Sequence, residues 1–266
     1  MMLSFVSAVG SVVLGTLAHV GGVFKLLVQT LFWLVIGPFK KKPPSRKNIF
    51  AQMVFSGVNS LIIVFFVALF TGIVLAMQSA YQLAQLGAVM YVASLVAVSM
   101  ARELGPVLTA LVVAGRVGAA ITAELGSMKV TEQVEALQSL ALNPVRYLVV
   151  PRFLALVIML PCLTIFSDLM GMLGGYLVGV FNLNINSGMY INITLKFLTL
   201  KDIYTGLIKS VFFGMIIALI GCYMGLNTKG GAEGVGRATT VSVVTSFILI
   251  ILSDCVLTGI FYFSNM

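Results

Sequence analysis

"NIFAQMVFSGVNSLIIVFFVALFTGIVLAMQSAYQLAQLGAVMYVASLVAVSMA" occupies residues 48–101 and contains no Asp, Glu, Lys or Arg. A helix that crosses the hydrocarbon core of a membrane needs roughly 20 apolar residues, so this run is long enough for two crossings and a turn. The whole chain has a mean hydropathy of +1.11 and only 9% charged residues, whereas soluble domains run near a quarter charged. The sequence therefore predicts an all-α integral membrane protein.

The hydropathy pattern predicts five transmembrane helices, over residues 53–78, 88–118, 153–180, 203–226 and 238–263. Positive charge collects in the linker "KKKPPSRK" (residues 40–47) and in the two connections on the same side, which carry Lys129, Arg146, Arg152, Lys229 and Arg237. Cytoplasmic loops carry an excess of Lys and Arg, so this side is predicted to be cytoplasmic and the C-terminus to lie outside. Loop asymmetry also explains the net charge of +8 without a nucleic-acid partner.

Residues 3–38 are apolar but carry a stripe of small and polar residues at spacings of three and four. Its members are Ser4, Ser7, Ser11, Gly15, Ala18, Gly22, Lys25 and Gln29. A stripe of this kind is typical of a helix that lies in the membrane interface or packs on other helices. We therefore expect an N-terminal interfacial helix and basic linker over residues 1–47, and a five-span domain over 48–266. A sixth transmembrane helix is the alternative for residues 3–38.

The segment "ELGSMKVTEQVEALQSLALNPVRY" (residues 124–147) is unusually polar for this chain. Burying Lys129, Glu132 and Glu135 at the centre of a bilayer would cost about 2.5–3.5 kcal/mol each. The segment is therefore expected outside the hydrocarbon, as a short amphipathic helix near residues 128–142. Its predicted apolar face holds Val130, Val134, Leu137 and Ala141, and its polar face holds Thr131, Glu132, Glu135, Gln138 and Ser139. Pro144 is expected to end the helix.

Three blocks of the sequence carry a family resemblance. They are "RELGPVLTALVVAGRVGAAITAELGSMKVTEQVEALQSLALNPVRYLVVPR" (102–152), "GLIKSVFFG" (206–214) and "GVGRATTVSVV" (234–244). The chain resembles the MlaE-type permease family of the Mla- and Mce-associated lipid ABC transporters over nearly all of its length after residue 50. The resemblance implies that the helix near 128–142 is a coupling helix that docks on an ATPase subunit, through Glu132, Gln133, Glu135, Ala136 and Leu137.

The same resemblance implies partners and a location. The partners would be a second copy of the chain, two ABC ATPase subunits, a small STAS-type accessory subunit on the ATPase and a periplasmic ring of MCE-domain subunits. The substrate would be a phospholipid or a similar amphiphile, and the membrane the inner membrane of a double-membraned bacterium or the plastid inner envelope. Because the chain has no P-loop pattern, ATP and Mg²⁺ are expected in the partner ATPase and no cofactor, metal or enzymatic activity in this chain.

Several charged residues fall inside the predicted transmembrane helices. Arg102 and Glu103 lie about fourteen residues into the second, near mid-bilayer at about 1.5 Å per residue, and Gly105-Pro106 is expected to bend the helix there. Intramembrane charges must face protein, a cavity or a partner, so a pocket role and structural pairing are both open. Lys209 and Asp254 lie at similar depths from the outer side, which predicts a pair that is either structural or a gate.

The uncharged stretch "LAMQSAYQLAQLG" (residues 75–87) must reach the outer face. An oily surface with only neutral hydrogen-bonding groups suits acyl chains, so Leu75, Gln78, Tyr81 and Leu83 are predicted to line the outer mouth of a lipid cavity. Arg102 and Glu103 would lie beneath this mouth on the next helix. Simple embedding in the membrane is the alternative explanation of the stretch.

Asp168 is a third carboxylate within an apolar run, followed by Gly171, Gly174, Gly175 and Gly179, which predict close helix contact. Two other classes of function start from the buried charges. One is an intramembrane enzyme that uses Asp168 and Asp254 as a carboxylate pair, and the other is an ion or proton channel. The direction of transport and the exact lipid cannot be read from the sequence.

Overall fold

The computed structural model describes residues 19–36 and 46–263, and within these ranges the regular structure is helical, without strands. Within the described residues, six helices are long and apolar enough to cross a membrane, and two short helices lie in the connections between them. In chain order the helices are α1 His19–Ile36, α2 Lys47–Gln85, α3 Val89–Val130, α4 Gln133–Ser139, α5 Val145–Asn182, α6 Ser187–Phe197, α7 Leu200–Leu226 and α8 Gly231–Phe263. The predicted all-α membrane architecture is confirmed.

Four of the five predicted transmembrane segments lie within α2, α5, α7 and α8, and the fifth, 88–118, begins one residue before α3. The helices extend beyond the predicted bounds, most of all where α3 continues to Val130. The physical reason is that polar residues mark where the hydrocarbon ends, whereas a helix continues into water as long as its backbone hydrogen bonds do. We call the end of the bundle that carries Lys129, Arg146 and Arg152 the basic end.

Helix α5 lies at the centre and packs against α2, α3 and α7. Glycines allow the closest approaches, as the sequence predicted for this helix: a side chain at Gly171 would collide with Met100 of α3, and one at Gly174 with the backbone of Leu69 in α2. The interior between the helices is filled by apolar side chains such as Phe213 and Leu160.

Helix α1 contacts the basic end at both of its described ends. His19 Nδ1 lies 3.2 Å from the Tyr223 hydroxyl, about one turn from the end of α7, and the Arg146 guanidinium lies 5.7 Å from the centroid of the Trp33 ring. Fourteen residues of helix cover about 21 Å, yet both partners stand near the same end of the bundle. Because His19–Ile36 is also long and apolar enough to cross a membrane, the interfacial placement of residues 3–38 stays a prediction, with a sixth crossing as its alternative. The rest of the predicted stripe, residues 1–18, and most of the basic linker lie outside the described residues.

Two expectations about connections are wrong. The predicted spans 53–78 and 88–118 leave a turn near residues 79–87, whereas α2 continues to Gln85 and the turn is confined to Leu86–Ala88, with Gly87 at a φ of 65°. The amphipathic helix α4 ends at Ser139 rather than at Pro144. The chain leaves helical geometry at Leu140, Ala141 has a φ of 55°, and Pro144 instead precedes the first turn of α5.

Candidate functional site

A cluster of charged residues joins α3, α7 and α8 inside the bundle. Lys209 of α7 is 1% exposed, and its ammonium group bonds the Glu103 carboxylate of α3. The same ammonium lies 2.9 Å from Asp254 Oδ1 and 2.7 Å from the Thr258 hydroxyl, both on α8. The Asp254 contact is within ion-pair distance but lacks hydrogen-bond geometry. One lysine thus holds two carboxylates from two other helices.

Pro106 explains a further contact of Lys209. Proline has no backbone N–H, so the carbonyl four residues earlier, that of Arg102, loses its helical partner. The helix widens into a π turn over Met100–Leu104 just before this proline. Lys209 Nζ donates to the Arg102 carbonyl at 3.3 Å. The predicted irregularity at Gly105-Pro106 therefore supplies one of the acceptors that make a buried lysine tolerable.

Arg102 itself points to another partner. Its Nε lies 3.6 Å from Asp202 Oδ1, near the start of α7. Asp202 also accepts hydrogen bonds from the Thr199 backbone N–H at 2.9 Å and from the Thr199 hydroxyl at 2.7 Å, and so caps the helix. Counted along α7 and α8, Lys209 and Asp254 lie about 13 Å from the helix ends opposite the basic end. The cluster therefore sits in the half of the bundle away from the basic end.

The short helix α4 lies at the basic end, between α3 and α5. Val134 is 4% exposed and packs into the main core, and Leu137 packs beside it. Glu132, Gln133 and Ala136 are exposed. Lys129 bonds the Glu135 carboxylate, and this hydrogen bond lowers the pKa of Glu135 from its ordinary value of 4.5. The helix thus anchors itself through one face and presents a polar face to solvent.

The family model of the MlaE permease matches residues 49–260, which include both the charge cluster and α4. The chain belongs to the MlaE permease family.

Individual relatives agree with this membership. The intermembrane phospholipid transport system permease protein MlaE of Haemophilus influenzae is 38% identical over 266 residues, 98% of this chain and 99% of its own. A probable ABC transporter permease protein of Rickettsia typhi is 46% identical over 230 residues, 86% of this chain and 89% of its own. One of Synechocystis is 44% identical over 218 residues, 82% and 83% of the two chains.

The six residues predicted to line a lipid cavity of this MlaE-family permease lie in three different surroundings. Leu75 and Leu83 pack against a small core of α2 and α3 residues that includes Met100. Gln78 and Tyr81 are exposed and line a surface groove of about 560 Å³. Glu103 is bound to Lys209, and Arg102 lies against Asp202. Within one chain these residues do not form a single pocket, and their role in binding lipid stays a prediction.

The predicted pairing of Lys209 with Asp254 is present, whereas Asp168 stands apart from it. Asp168 is 7% exposed, and its Oδ1 lies where a side chain at Gly105 would have to go and has no hydrogen-bond partner among the described residues. No hydrogen bond joins Asp168 to Asp254 in this part of the chain. That arrangement does not support the carboxylate pair of an intramembrane hydrolase.

Sequence reasoning missed two arginines of the MlaE-type domain, of which Arg116 is half-buried and Arg152 is buried. Arg116 of α3 donates to the Ser60 hydroxyl at 2.8 Å and to the Phe55 carbonyl at 3.3 Å, at the interruption of α2. Arg152 is 5% exposed and lies 2.8 Å from Glu124. A charged residue within the predicted span 88–118 was a sufficient signal for Arg116. Arg152 had been counted only as a loop charge.

Proposed function

We propose that this chain is the membrane subunit of an ABC transporter that moves phospholipids or related lipids, driven by a separate ATPase. The observation that carries the proposal is the family match over residues 49–260, together with relatives named as ABC transporter permeases and as a phospholipid transport permease. In this chain the proposal gives the buried cluster and the exposed helix α4 separate tasks, one within the membrane and one at its surface.

Helix α4 is proposed as the contact with the ATPase. Its buried residue Val134 fixes it to the bundle, and its exposed residues Glu132, Gln133 and Ala136 are free to meet another protein. A rigidly anchored helix transmits a push from a partner to α3 and α5, because it is joined to both by short connections. ATP and Mg²⁺ would be bound by two such ATPase subunits, one for each copy of the permease.

The lipid cavity is proposed to lie between two copies of the chain. Gln78 and Tyr81 face away from the core of their own chain, so a second copy would supply the opposite wall of the groove they line. Large apolar side chains such as Phe70 and Val74 continue this exposed surface along α2. Lys209 and its carboxylates would hold α3, α7 and α8 in register beside the cavity.

The remaining parts of the assembly follow from the family. We infer a periplasmic ring of MCE-domain subunits at the end opposite the basic end, where lipid would be passed on, and a STAS-type accessory subunit on the ATPase. The corresponding location is the inner membrane of a double-membraned bacterium, with the plastid inner envelope as the alternative. These assignments share one requirement, which is that the basic end faces the ATPase compartment.

Affinity purification in mild detergent tests the proposal. The wild-type chain is expected to bring down an ABC ATPase, a second permease copy and bound phospholipid. The double variant Glu132→Lys, Glu135→Lys should lose the ATPase and keep the permease dimer, because neither carboxylate belongs to the apolar face, Val134 and Leu137, that packs on the bundle. Glu233→Lys, an exposed carboxylate at the same end on α8, is the matched control and should keep the ATPase. Wild-type ATPase recovery with the double variant would show that α4 is not the contact.

A further inference from the structure

A polar crevice opens at the basic end, away from the charge cluster and from the groove on α2. It has a volume of about 260 Å³, and its polar walls come from three helices: Asn48 and Gln52 of α2, Glu124 of α3, and Tyr147 and Arg152 of α5. The transport proposal gives these residues no task, although all of them except Asn48 lie within the region that the family model matches. The open space between α1, α7 and α8 is lined almost entirely by apolar side chains, whereas this crevice brings an arginine and a carboxylate together.

Arg152 provides the first reason to expect a ligand. Its side chain is 5% exposed, Nη2 lies 2.8 Å from Glu124 Oε1, and Nη1 donates to the Leu148 carbonyl at 2.7 Å. Its Nε has no hydrogen-bond partner among the described residues. A buried donor on a permanently charged group that lacks an acceptor carries the full cost of its lost hydration. Arg152 lines the crevice, so a ligand that turns the guanidinium toward the opening can supply the missing acceptor.

Glu124 determines what kind of ligand fits. Its side chain is 52% exposed, so it keeps acceptor capacity beyond the bond to Arg152. The crevice therefore offers one guanidinium and one carboxylate, whose charges cancel, with neutral groups from Asn48, Gln52 and Tyr147 around them. A simple anion would be repelled by Glu124 and a simple cation by Arg152. A zwitterion with a phosphate and a hydrogen-bonding ammonium satisfies both.

The depth of the crevice indicates where that zwitterion comes from. Asn48 is one residue from the start of α2, and Arg152 lies about 10 Å along α5 from its start at Val145. Tyr147 is 46% exposed and belongs to the residue types that concentrate where headgroups meet hydrocarbon. These positions match the headgroup layer of the leaflet at the basic end.

We propose that this crevice binds the headgroup of a phospholipid that carries a primary ammonium, such as phosphatidylethanolamine. The phosphate accepts a hydrogen bond from Arg152 Nε, and the ammonium donates to Glu124. The site belongs to the leaflet at the basic end, so it is separate from the outer cavity proposed above. It does not depend on transport, and it can be tested on the permease alone.

The test is photo-crosslinking of the full-length chain in nanodiscs that contain equal amounts of phosphatidylethanolamine, phosphatidylglycerol and phosphatidylcholine. A benzophenone side chain replaces Ala51, which lines the crevice, and lipid adducts are identified by mass spectrometry. Phosphatidylethanolamine should be captured about fivefold more than phosphatidylcholine, because the quaternary ammonium of the latter has no N–H to give Glu124. Capture in proportion to the membrane composition would overturn the proposal.

Two variants distinguish recognition of the headgroup from general damage. Glu124→Gln removes the carboxylate and should shift the preference toward the anionic phosphatidylglycerol, a change that a purely structural ion pair does not produce. Gln52→Leu leaves the Arg152–Glu124 pair intact and should lower the capture of phosphatidylethanolamine while the protein still elutes as a folded species. Glu233→Gln removes an exposed carboxylate at the same end outside the crevice and should change nothing. An unchanged preference in Glu124→Gln would contradict the assignment.

Other occupants give different products. An internal cross-link from position 51 to residues 37–45 would mean that the chain's own linker fills the crevice, and the lipid assignment would fall. Free phosphoethanolamine added from solution should compete only weakly, since it lacks the acyl chains that hold the lipid in the leaflet. Complete competition without any lipid adduct would assign the site to a soluble ligand and would also overturn the proposal.

Discussion

Two lysine–glutamate pairs stand in opposite halves of the bundle, and they differ in almost everything except their chemistry. The Lys209 side chain is 2% exposed and bonds Glu103 from a different transmembrane helix. The Lys129 and Glu135 side chains are 34% and 45% exposed and belong to the last turn of α3 and to the adjacent helix α4. Lys209 is enclosed by α3, α7 and α8, although its partner Glu103 is 38% exposed, whereas both members of the second pair are partly exposed beside α4.

This difference separates two uses of charge in one membrane protein. Removing one member of a buried pair leaves an uncompensated charge and costs about 3–5 kcal/mol. An exposed pair is screened by water and salt and contributes little. The cluster of Lys209, Glu103 and Asp254 therefore serves to hold helices together. The carboxylates near α4 contribute little to stability, so they can contact a partner.

The largest expected effect is all-or-none, and it concerns which end of the bundle faces the cytoplasm. In a background without Cys162, Cys222 and Cys255, Gln138→Cys should react with a membrane-impermeant thiol reagent only from the cytoplasmic side. Asn192→Cys, on α6, should react only from the other side. Asn192 is the site chosen for the cysteine because the nearby Asn186 side chain caps α6 and its replacement would disturb that helix. Labelling of both positions from one side would overturn the topology and the docking side of the ATPase.

The next effect is the loss of the buried lysine. Lys209→Met leaves Glu103 and Asp254 next to each other without a cation and should lower the free energy of unfolding by about 3–5 kcal/mol. SDS titration of the purified chain in mixed micelles measures this change. Lys201→Met, an exposed lysine on the same helix, is the matched control and should be close to neutral.

A triple variant shows whether charge or packing causes the loss. Adding Glu103→Gln and Asp254→Asn to Lys209→Met removes the uncompensated carboxylates and should recover about half of the lost stability. No recovery would mean that Lys209 acts through the space it fills. Wild-type stability of Lys209→Met alone would mean that the cluster does not hold α3, α7 and α8 together.

Residue counting along helices predicted part of this cluster. Lys209 and Asp254 lie at matching depths from one side of the membrane, and depth follows from the number of residues in a helix. That Glu103 joins them depends on how α3 is rotated about its axis, and the π turn at Met100–Leu104 changes that rotation. A local widening of this kind has no fixed sequence signature, although Pro106 marks its position.

The connections were harder to predict for a related reason. The apolar pattern correctly placed an amphipathic helix after α3, with Val134 and Leu137 facing the bundle. Soon after the early end of α4, Ala141 adopts a left-handed backbone conformation. Glycine often predicts that conformation in a sequence, whereas alanine does not. The contact of Arg116 with Ser60 joins residues far apart in the chain, so periodicity within one helix carries no information about it.

A smaller loss of unfolding free energy is expected from changes at Asp202 and Arg102, which lie between the charge cluster and the surface. Asp202 caps α7 through Thr199, and Asp202→Ala should cost about 1 kcal/mol. Arg102→Gln should cost less, because Arg102 is 38% exposed and its ion pair with Asp202 is 3.6 Å long. The same SDS titration compares the two variants. A larger loss in Arg102→Gln than in Asp202→Ala would show that Arg102 belongs with the buried group rather than with the exposed one.

The smallest effect concerns the exposed pair and its dependence on pH. The hydrogen bond from Lys129 lowers the pKa of Glu135 below its ordinary value of 4.5. A carboxyl group with a lowered folded-state pKa stabilises the folded state above pH 4.5, and this contribution disappears as the pH falls through the folded-state value. The difference in unfolding free energy between wild type and Glu135→Gln should therefore be small and constant near neutral pH, decrease as the pH falls below 4.5 and vanish below the folded-state pKa of Glu135. Glu233→Gln serves as the control without such a partner. A difference that grows as the solution is acidified would mean that Glu135 is stabilised in its protonated form, and the exposed pair would then no longer contrast with Lys209 and Glu103.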